Sequence, residues 1–126
     1  LSKFLKRRRK IAAIYNSEFK NKNIFTIPKI KKNYKHAFHL YPLRISFERL
    51  KISKKELFKK LSKKKINLQV HYIPIHLQPF YRKNYGFRFG DFPVAEKFYE
   101  KEVSLPIYFS LKNNQVYKII KFLKKF

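Results

Sequence analysis

Three prolines decide what kind of sheet this chain can build. Pro42, Pro74 and Pro106 each stand within or just beyond a segment of alternating apolar residues, and proline has no N–H to give to a ladder. In the first segment Phe38 and Leu40 alternate, Pro42 interrupts, and Leu43, Ile45 and Phe47 resume on a shifted phase. That pattern predicts a strand over 37–47 with a bulge at the proline. In the second, Ile66, Leu68, Val70 and Tyr72 alternate with Asn67, Gln69 and His71, predicting a half-buried strand that Pro74 stops. In the third, Val103, Leu105 and Ile107 predict a strand broken by Pro106 and therefore at an edge. Ile24–Ile27, before Pro28, reads as one further short extended piece.

The segments between have the helical period. Phe4, Ile11, Ala12, Tyr15 and Phe19 share one face from Ser2 to Phe19, with Lys3, Lys6, Arg7 and Lys10 on the other and Ser2 placed as N-cap. Ser53-Lys54-Lys55-Glu56 is a capping box ahead of Leu57, Phe58 and Leu61, and the lysines at 63–65 suit the negative end of the helix it opens. Asp91-Phe92-Pro93 reads as a capped start with proline in the first turn. Val116, Ile119, Ile120 and Leu123 fall at i, i+3, i+4 and i+7 behind Asn113 or Asn114 as cap. From Pro74 to Asp91 there is no period, and this stretch reads as a long loop, the kind that serves function or an interface. The order of elements predicts an α+β domain, a short, mostly antiparallel sheet with helices on one face.

Composition bounds the rest. A chain of 126 residues that is 44% apolar and 18% aromatic is too apolar for a disordered basic tail. Lys and Arg number 32 against 7 Asp and Glu, a net charge of +25, which predicts non-specific, salt-sensitive binding to polyanions. The cations are chiefly Lys, however, whereas specific phosphate and base recognition favours the arginine fork. Lys, Asn, Ile and Phe are all A/T-rich in their codons, so genome composition accounts for much of the charge. The absence of cysteine excludes disulfides and cysteine zinc sites and makes a reducing cytoplasm the simpler location. No apolar run approaches the about 18–20 residues of a membrane span. The chain opens on Leu1, inside a helical pattern, from which we expect a piece of a longer protein.

No self-sufficient catalytic centre is legible. His71 and His76 are near each other, but a metal would need a third ligand and supporting carboxylates, so no metal is expected. There is no glycine-rich phosphate loop, since Gly86 and Gly90 are the only glycines, and no nucleophile elbow. Phe80, Tyr81, Arg82, Tyr85, Phe87, Arg88 and Phe89 interleave rings with cations, as single-strand binders do. A stand-alone lysine-rich nucleic-acid-binding module is therefore the rival reading; the other use of these rings is to dock the loop on the domain or a neighbour.

Four motifs in order then resemble one family. They are His36-Ala37-Phe38-His39-Leu40-Tyr41-Pro42, the run Val70 to Tyr81, Gly90-Asp91-Phe92-Pro93-Val94-Ala95-Glu96, and Ser104-Leu105-Pro106-Ile107-Tyr108. With Arg8-Arg9-Lys10-Ile11-Ala12 before them and the terminal helix after, they resemble the C-terminal part of the pyridoxal-phosphate-dependent sugar-nucleotide aminotransferases (the DegT/DnrJ/EryC1/StrS family). The wording of 71–81 is most similar to the branch making the 4-amino sugar precursor of pseudaminic acid.

The resemblance implies the small C-terminal domain of a fold-type-I aminotransferase, with residues 1–20 as the linker helix from a large domain and 21–126 as the small domain. It implies transfer of an amino group from glutamate to C4 of a UDP-linked 4-keto-6-deoxy-N-acetylhexosamine by a homodimeric parent. Pyridoxal 5'-phosphate and its Schiff-base lysine belong to the large domain in this family, so no catalytic or cofactor-binding residue is expected here, and the chain alone is expected to be inactive. Carried over residue by residue, the nucleotide-sugar side of the cleft falls to Gln69, His71, Tyr72, Ile73, Pro74 and His76. For His71 and His76 the alternative is to orient the loop by hydrogen bonds. Phe80, Tyr81, Phe87 and Phe89 are the expected apolar surface toward the large domain.

Overall fold

The computed structural model describes all 126 residues. Helix α1 (Ser2–Phe19) leads to strands β1 (Phe25–Thr26) and β2 (Tyr41–Ile45), the short helix α2 (Phe47–Leu50) and helix α3 (Lys54–Ser62). After a 3-10 turn at Ile75–Leu77 come α4 (Pro79–Tyr85), α5 (Pro93–Lys101), β3 (Glu102–Leu105) and α6 (Asn113–Leu123). The three strands form one antiparallel sheet in the order β1-β2-β3.

Period 2 sets the sheet's two faces. Tyr41, Leu43 and Ile45 of β2 and Val103 and Leu105 of β3 point into one core with Ile11, Ala12, Tyr15 and Phe19 of α1, Leu57 and Leu61 of α3, and Val116, Ile119, Ile120 and Leu123 of α6. Polar atoms entering this core are satisfied: the Tyr15 hydroxyl donates to Pro106 O at 2.9 Å, and that of Tyr41 donates to Asn16 Oδ1 at 2.7 Å. The opposite face presents Pro42, Arg44, Glu102 and Ser104, and α5 runs beside it.

The strands are shorter than the alternation predicts, for definable reasons. β2 begins at Tyr41 and pairs with β3 in unbroken register, so Pro42 makes no bulge. The N–H and C=O of Ser104, opposite Pro42, both bond Gln69 on the far side. Pro42 therefore occupies a non-hydrogen-bonded position and withholds no donor from β3. Its nitrogen faces the side where β1 pairs only with Arg44 and Ile45. Beyond Ile45 the chain turns into α2, so Phe47 is helical instead of extended.

The expected strand 66–72 is reduced to a single bridge, Gln69 to Ser104. The next ladder donor would be His71 N–H, and it goes instead to the Glu102 side chain, Oε2, at 3.1 Å. β3 lies at one end of the three-stranded order and stops before Pro106, as an edge does.

Helix ends show the same mixture. Ser53 and Glu56 form the full capping box: Ser53 Oγ accepts from Glu56 N at 3.1 Å, and Glu56 Oε2 accepts from Ser53 N at 2.7 Å. At the other end Ile66 N–H donates to Leu61 O and Lys65 N–H to Ser62 O, a Schellman closure with Lys65 at φ 58°. Ser2 is a helical residue of α1 and caps nothing; Leu1 precedes the helix. At α6 the residue before the helix is Lys112, whose N–H is taken by the Gln115 side chain, so neither asparagine is the cap. The stretch Pro74–Asp91 is no loop: the 3-10 turn and α4 occupy most of it, with Pro79 at the first helical position and Gly86 closing α4 at φ +69°.

Three arginines of α1 tie the N-terminal helix to the rest. Arg8 Nη1 donates to the carbonyls of Phe38, His39 and Ile107 at 3.0, 2.9 and 2.9 Å. Arg9 Nε donates to His36 O at 3.0 Å, and Arg7 donates to Asn113 Oδ1 at 2.8 Å and to Leu111 O.

Candidate functional site

Residues 69–76 leave the sheet edge and run past two hollows. Gln69 is fixed by its double backbone bond to Ser104, at 2.8 and 3.3 Å. Two residues on, the buried Glu102 carboxylate holds the chain: Oε2 accepts His71 N–H, and Oε1 accepts Ser104 Oγ–H at 2.5 Å. Both oxygens of a fully buried acid are thereby satisfied by groups at the strand's exit. The His71–Tyr72 peptide is cis.

The first hollow, about 270 Å³, has His39, Asn67, Gln69, His71 and Tyr108 in its wall. The second is a shallow apolar groove of about 670 Å³ formed by His71, Tyr72 and Pro74 on one side and Phe92, Val94 and Phe98 on the other. His71 stands between them and lines both. Its Nδ1 is buried and has no hydrogen-bond partner in the protein, the only buried side-chain polar atom left so. An imidazole nitrogen in that position has been taken from water without gaining a partner in the protein.

His76 is placed otherwise. It is 6% exposed, and its Nε2 lies 2.7 Å from Glu96 Oε1, with the Phe92 ring 4.7 Å from its own. Glu96 also accepts Gly90 N–H, at 2.9 and 3.0 Å to its two oxygens, and Phe92 N–H at 3.2 Å. Burial opposes ionisation of Glu96, but the bond from His76 and then those from the Gly90 and Phe92 amides outweigh it, leaving the carboxyl below its ordinary range. Gly90, at φ +102°, is where the chain must turn in a conformation side chains rarely adopt to bring its N–H to this carboxylate. The cluster pins the 3-10 turn to the start of α5 and so fixes the groove's two walls relative to each other. Asp91 is not the cap of α5; its Oδ2 accepts Arg88 N–H, and Phe92 occupies the capping position.

Of the six residues singled out from sequence, the structure thus brings Gln69 and His71 to one hollow and His71, Tyr72 and Pro74 to the groove. Ile73 is exposed and lines neither, and His76 faces inward. Sequence reasoning missed Glu96, Glu102 and the groove wall Phe92–Phe98. The available signal was scarcity, since two of only seven carboxylates are buried here. The aromatic run is a contiguous series: the Tyr81–Tyr85 and Tyr85–Phe87 centroids are 6.0 and 5.9 Å apart, and Phe87 lies 5.5 Å from Phe92. Phe80 and Phe89 are exposed, whereas Tyr81 and Phe87 are half-buried within the series.

No lysine lines either hollow. Lys54, which burial draws below its ordinary range against the pull of Glu102, gives its ammonium to Tyr99 O at 2.6 Å and lies over the Tyr99 ring. Gly86 and Gly90 are the only glycines, so the chain has no glycine-rich loop of the kind that cradles a phosphate with backbone N–H groups.

Comparison with known proteins identifies the arrangement. The model of the DegT/DnrJ/EryC1/StrS aminotransferase family matches residues 1–124. The chain is 50% identical over 120 residues to an uncharacterized protein, MJ1066, of Methanocaldococcus jannaschii, covering 95% of this chain and 31% of that protein. It is 37% identical over 103 residues to the UDP-4-amino-4,6-dideoxy-N-acetyl-beta-L-altrosamine transaminase of Campylobacter jejuni serotype O:23/36, covering 81% of this chain and 26% of the relative. Among solved structures, Helicobacter pylori PseC, an aminotransferase involved in the biosynthesis of pseudoaminic acid, superposes with a TM-score of 0.84 at 30% identity over 97% of this chain and 32% of its own. The PLP form of Streptococcus pneumoniae Spr1654 does so with a TM-score of 0.84 at 30% identity, over 97% and 31%. The chain spans about a third of the length of the relatives it matches.

Proposed function

Since this chain belongs to the DegT/DnrJ/EryC1/StrS aminotransferase family, we propose that it is the substrate-side C-terminal part of a longer enzyme that transfers an amino group to a nucleotide-linked keto sugar. In this reading residues 1–20 are the linker helix and residues 21–126 the small domain. The likeness to the altrosamine transaminase supports a UDP-linked 4-keto-6-deoxy-N-acetylhexosamine as acceptor and amination at C4; glutamate as donor and a homodimeric, cytoplasmic parent belong to the same proposal. In this reading the cofactor sits on the remainder of the enzyme, in keeping with hollows here that no lysine lines.

The observation that carries the reading is His71. A buried, unpartnered Nδ1 at the junction of a polar hollow and an apolar groove suits a ligand with hydroxyl and acetamido groups on an apolar ring face. Gln69 adds an amide to the polar side, Tyr72 and Pro74 form the apolar rim, and Ile73 extends the exposed lip. His76, paired with Glu96, would position this segment without touching the ligand. The chain's part in the reaction is then to orient the sugar, not to make or break its bonds.

Two measurements test this. The 126-residue chain, supplied with pyridoxal phosphate, glutamate and the keto sugar, is expected to show no transamination; turnover would overturn the assignment of the chemistry elsewhere. In the longer enzyme His71→Ala is expected to raise KM for the sugar while leaving the glutamate half-reaction unchanged. An equal effect on both would remove His71 from the sugar's side of the cleft.

A further inference from the structure

A second groove, about 450 Å³, lies between α5 and the polar face of β1 and β2. Four cations line it, Arg44, Arg49, Lys97 and Lys101, with Thr26 and Asn23 between them and no carboxylate in its wall. The charges are poorly compensated. Lys101 meets Glu48 at 3.2 Å, and Arg49 donates to Asn23 O at 3.2 Å. The side chains of Arg44 and Lys97 have no intramolecular hydrogen bond or ion pair.

The case of Arg44 is informative, because its cross-strand partner is an acid, Glu102. Both Glu102 oxygens are already taken by His71 N–H and Ser104 Oγ–H, so the natural counter-ion is withdrawn and buried. The choice of residue points the same way. In a chain with 25 lysines, only seven arginines occur. Three of these, Arg7 to Arg9, clamp backbone carbonyls. Two of the remaining four line this one groove, and the arginine fork is the group that binds phosphate oxygens in pairs.

The geometry points to a phosphate-binding site in this groove, with room for a diphosphate: Arg44 and Lys97 supply the free charges, Arg49 and Lys101 the flanking ones, and Thr26 a hydroxyl. The shared chemistry is a phosphate or phosphate-ester oxyanion, from a free ion or a nucleotide. This site does not depend on the reading of His71, although Val94 and Phe98 line both grooves.

The test is calorimetric titration of the chain with inorganic pyrophosphate. It compares wild type, the double variant Arg44→Gln/Lys97→Gln and a charge-matched control, Lys3→Gln/Lys6→Gln, on the exposed start of α1. Both altered groove side chains are exposed and make no hydrogen bond or ion pair, so circular dichroism should show the same fold in all three. Saturable binding that weakens about tenfold or more in the groove variant and about twofold or less in the control is expected. Equal weakening in both variants, or no saturable binding by wild type, would overturn the site. Competition by ADP then separates the sources: tighter binding of ADP assigns a nucleotide, equal binding assigns the free ion, and both uphold the groove.

Discussion

Arg8 is the side chain through which α1 governs the hollow wall, and its removal has a calculable cost. One guanidinium nitrogen, Nη1, faces three carbonyls at 2.9–3.0 Å. It carries two hydrogens, so the three contacts amount to about two charge-assisted bonds, one of them shared. Two of the contacts are partly buried and the one to His39 O is exposed. At about 1–1.5 kcal/mol net for each bond in such a setting, Arg8→Ala should destabilise the chain by about 2–3 kcal/mol.

For 126 residues the unfolding entropy is about 0.26 kcal/mol per degree, so the loss corresponds to a Tm lowered by about 8–11 °C. Arg8→Lys, which keeps the charge but not the fork, should recover about half. Arg9→Ala, which loses an exposed bond to His36 O, should cost less than about 1 kcal/mol. Thermal unfolding followed by circular dichroism reads all three. A loss below about 0.5 kcal/mol for Arg8→Ala, or no difference between Arg8→Ala and Arg9→Ala, would refute the argument that these carbonyls depend on the guanidinium.

Three further predictions follow from particular residues. Lys65 occupies the left-handed position of the Schellman closure at φ 58°, so Lys65→Gly should stabilise the chain by about 1 kcal/mol, read as a higher urea midpoint at unchanged slope. Ser53→Ala removes the cap of α3 and should cost about 1 kcal/mol in the same assay, with Ser53→Asp recovering most of it. Glu96 has a folded-state pKa below its unfolded value, so its stabilisation is complete above the ordinary glutamate range and is lost as pH falls through the lower folded value. Glu96→Gln should therefore flatten the acid limb of the stability curve below pH 4.5, the ordinary glutamate value; an unchanged limb would show that His76 and the two amides do not favour the charged form.

How much of this was legible depended on whether burial and pairing followed the local pattern. α6 was readable because Val116, Ile119, Ile120 and Leu123 are all buried at the spacing the period demands. The Ser53–Glu56 cap was readable because both partners lie within one turn. α4 was not, because none of its residues is fully buried and only Tyr81 among its rings is half-buried, so no apolar stripe forms; Pro79 and Gly86 alone marked its ends. The alternation is real in burial over 66–69, with Ile66 and Leu68 inside and Asn67 and Gln69 outside, and is lost beyond, where Val70 and His71 are both half-buried and Tyr72 is exposed. It failed as a strand because Glu102 takes the amide that would extend the ladder.

The same kind of distant partner limited the site. Gln69 and His71 could be assigned to one polar face from alternation alone. The inward turn of His76 depends on Glu96, twenty residues away, which nothing local announces. The four motifs nevertheless located the family correctly, since its model matches residues 1–124.

The central claim is that this chain is one part of a larger aminotransferase. Reading the coding sequence in frame upstream of the Leu1 codon tests it most directly. The account predicts an open frame continuing into a large domain that carries a lysine in the family's Schiff-base setting. A start codon immediately before Leu1, with no gene for a large domain nearby, would contradict it and leave the family relationship as ancestry alone.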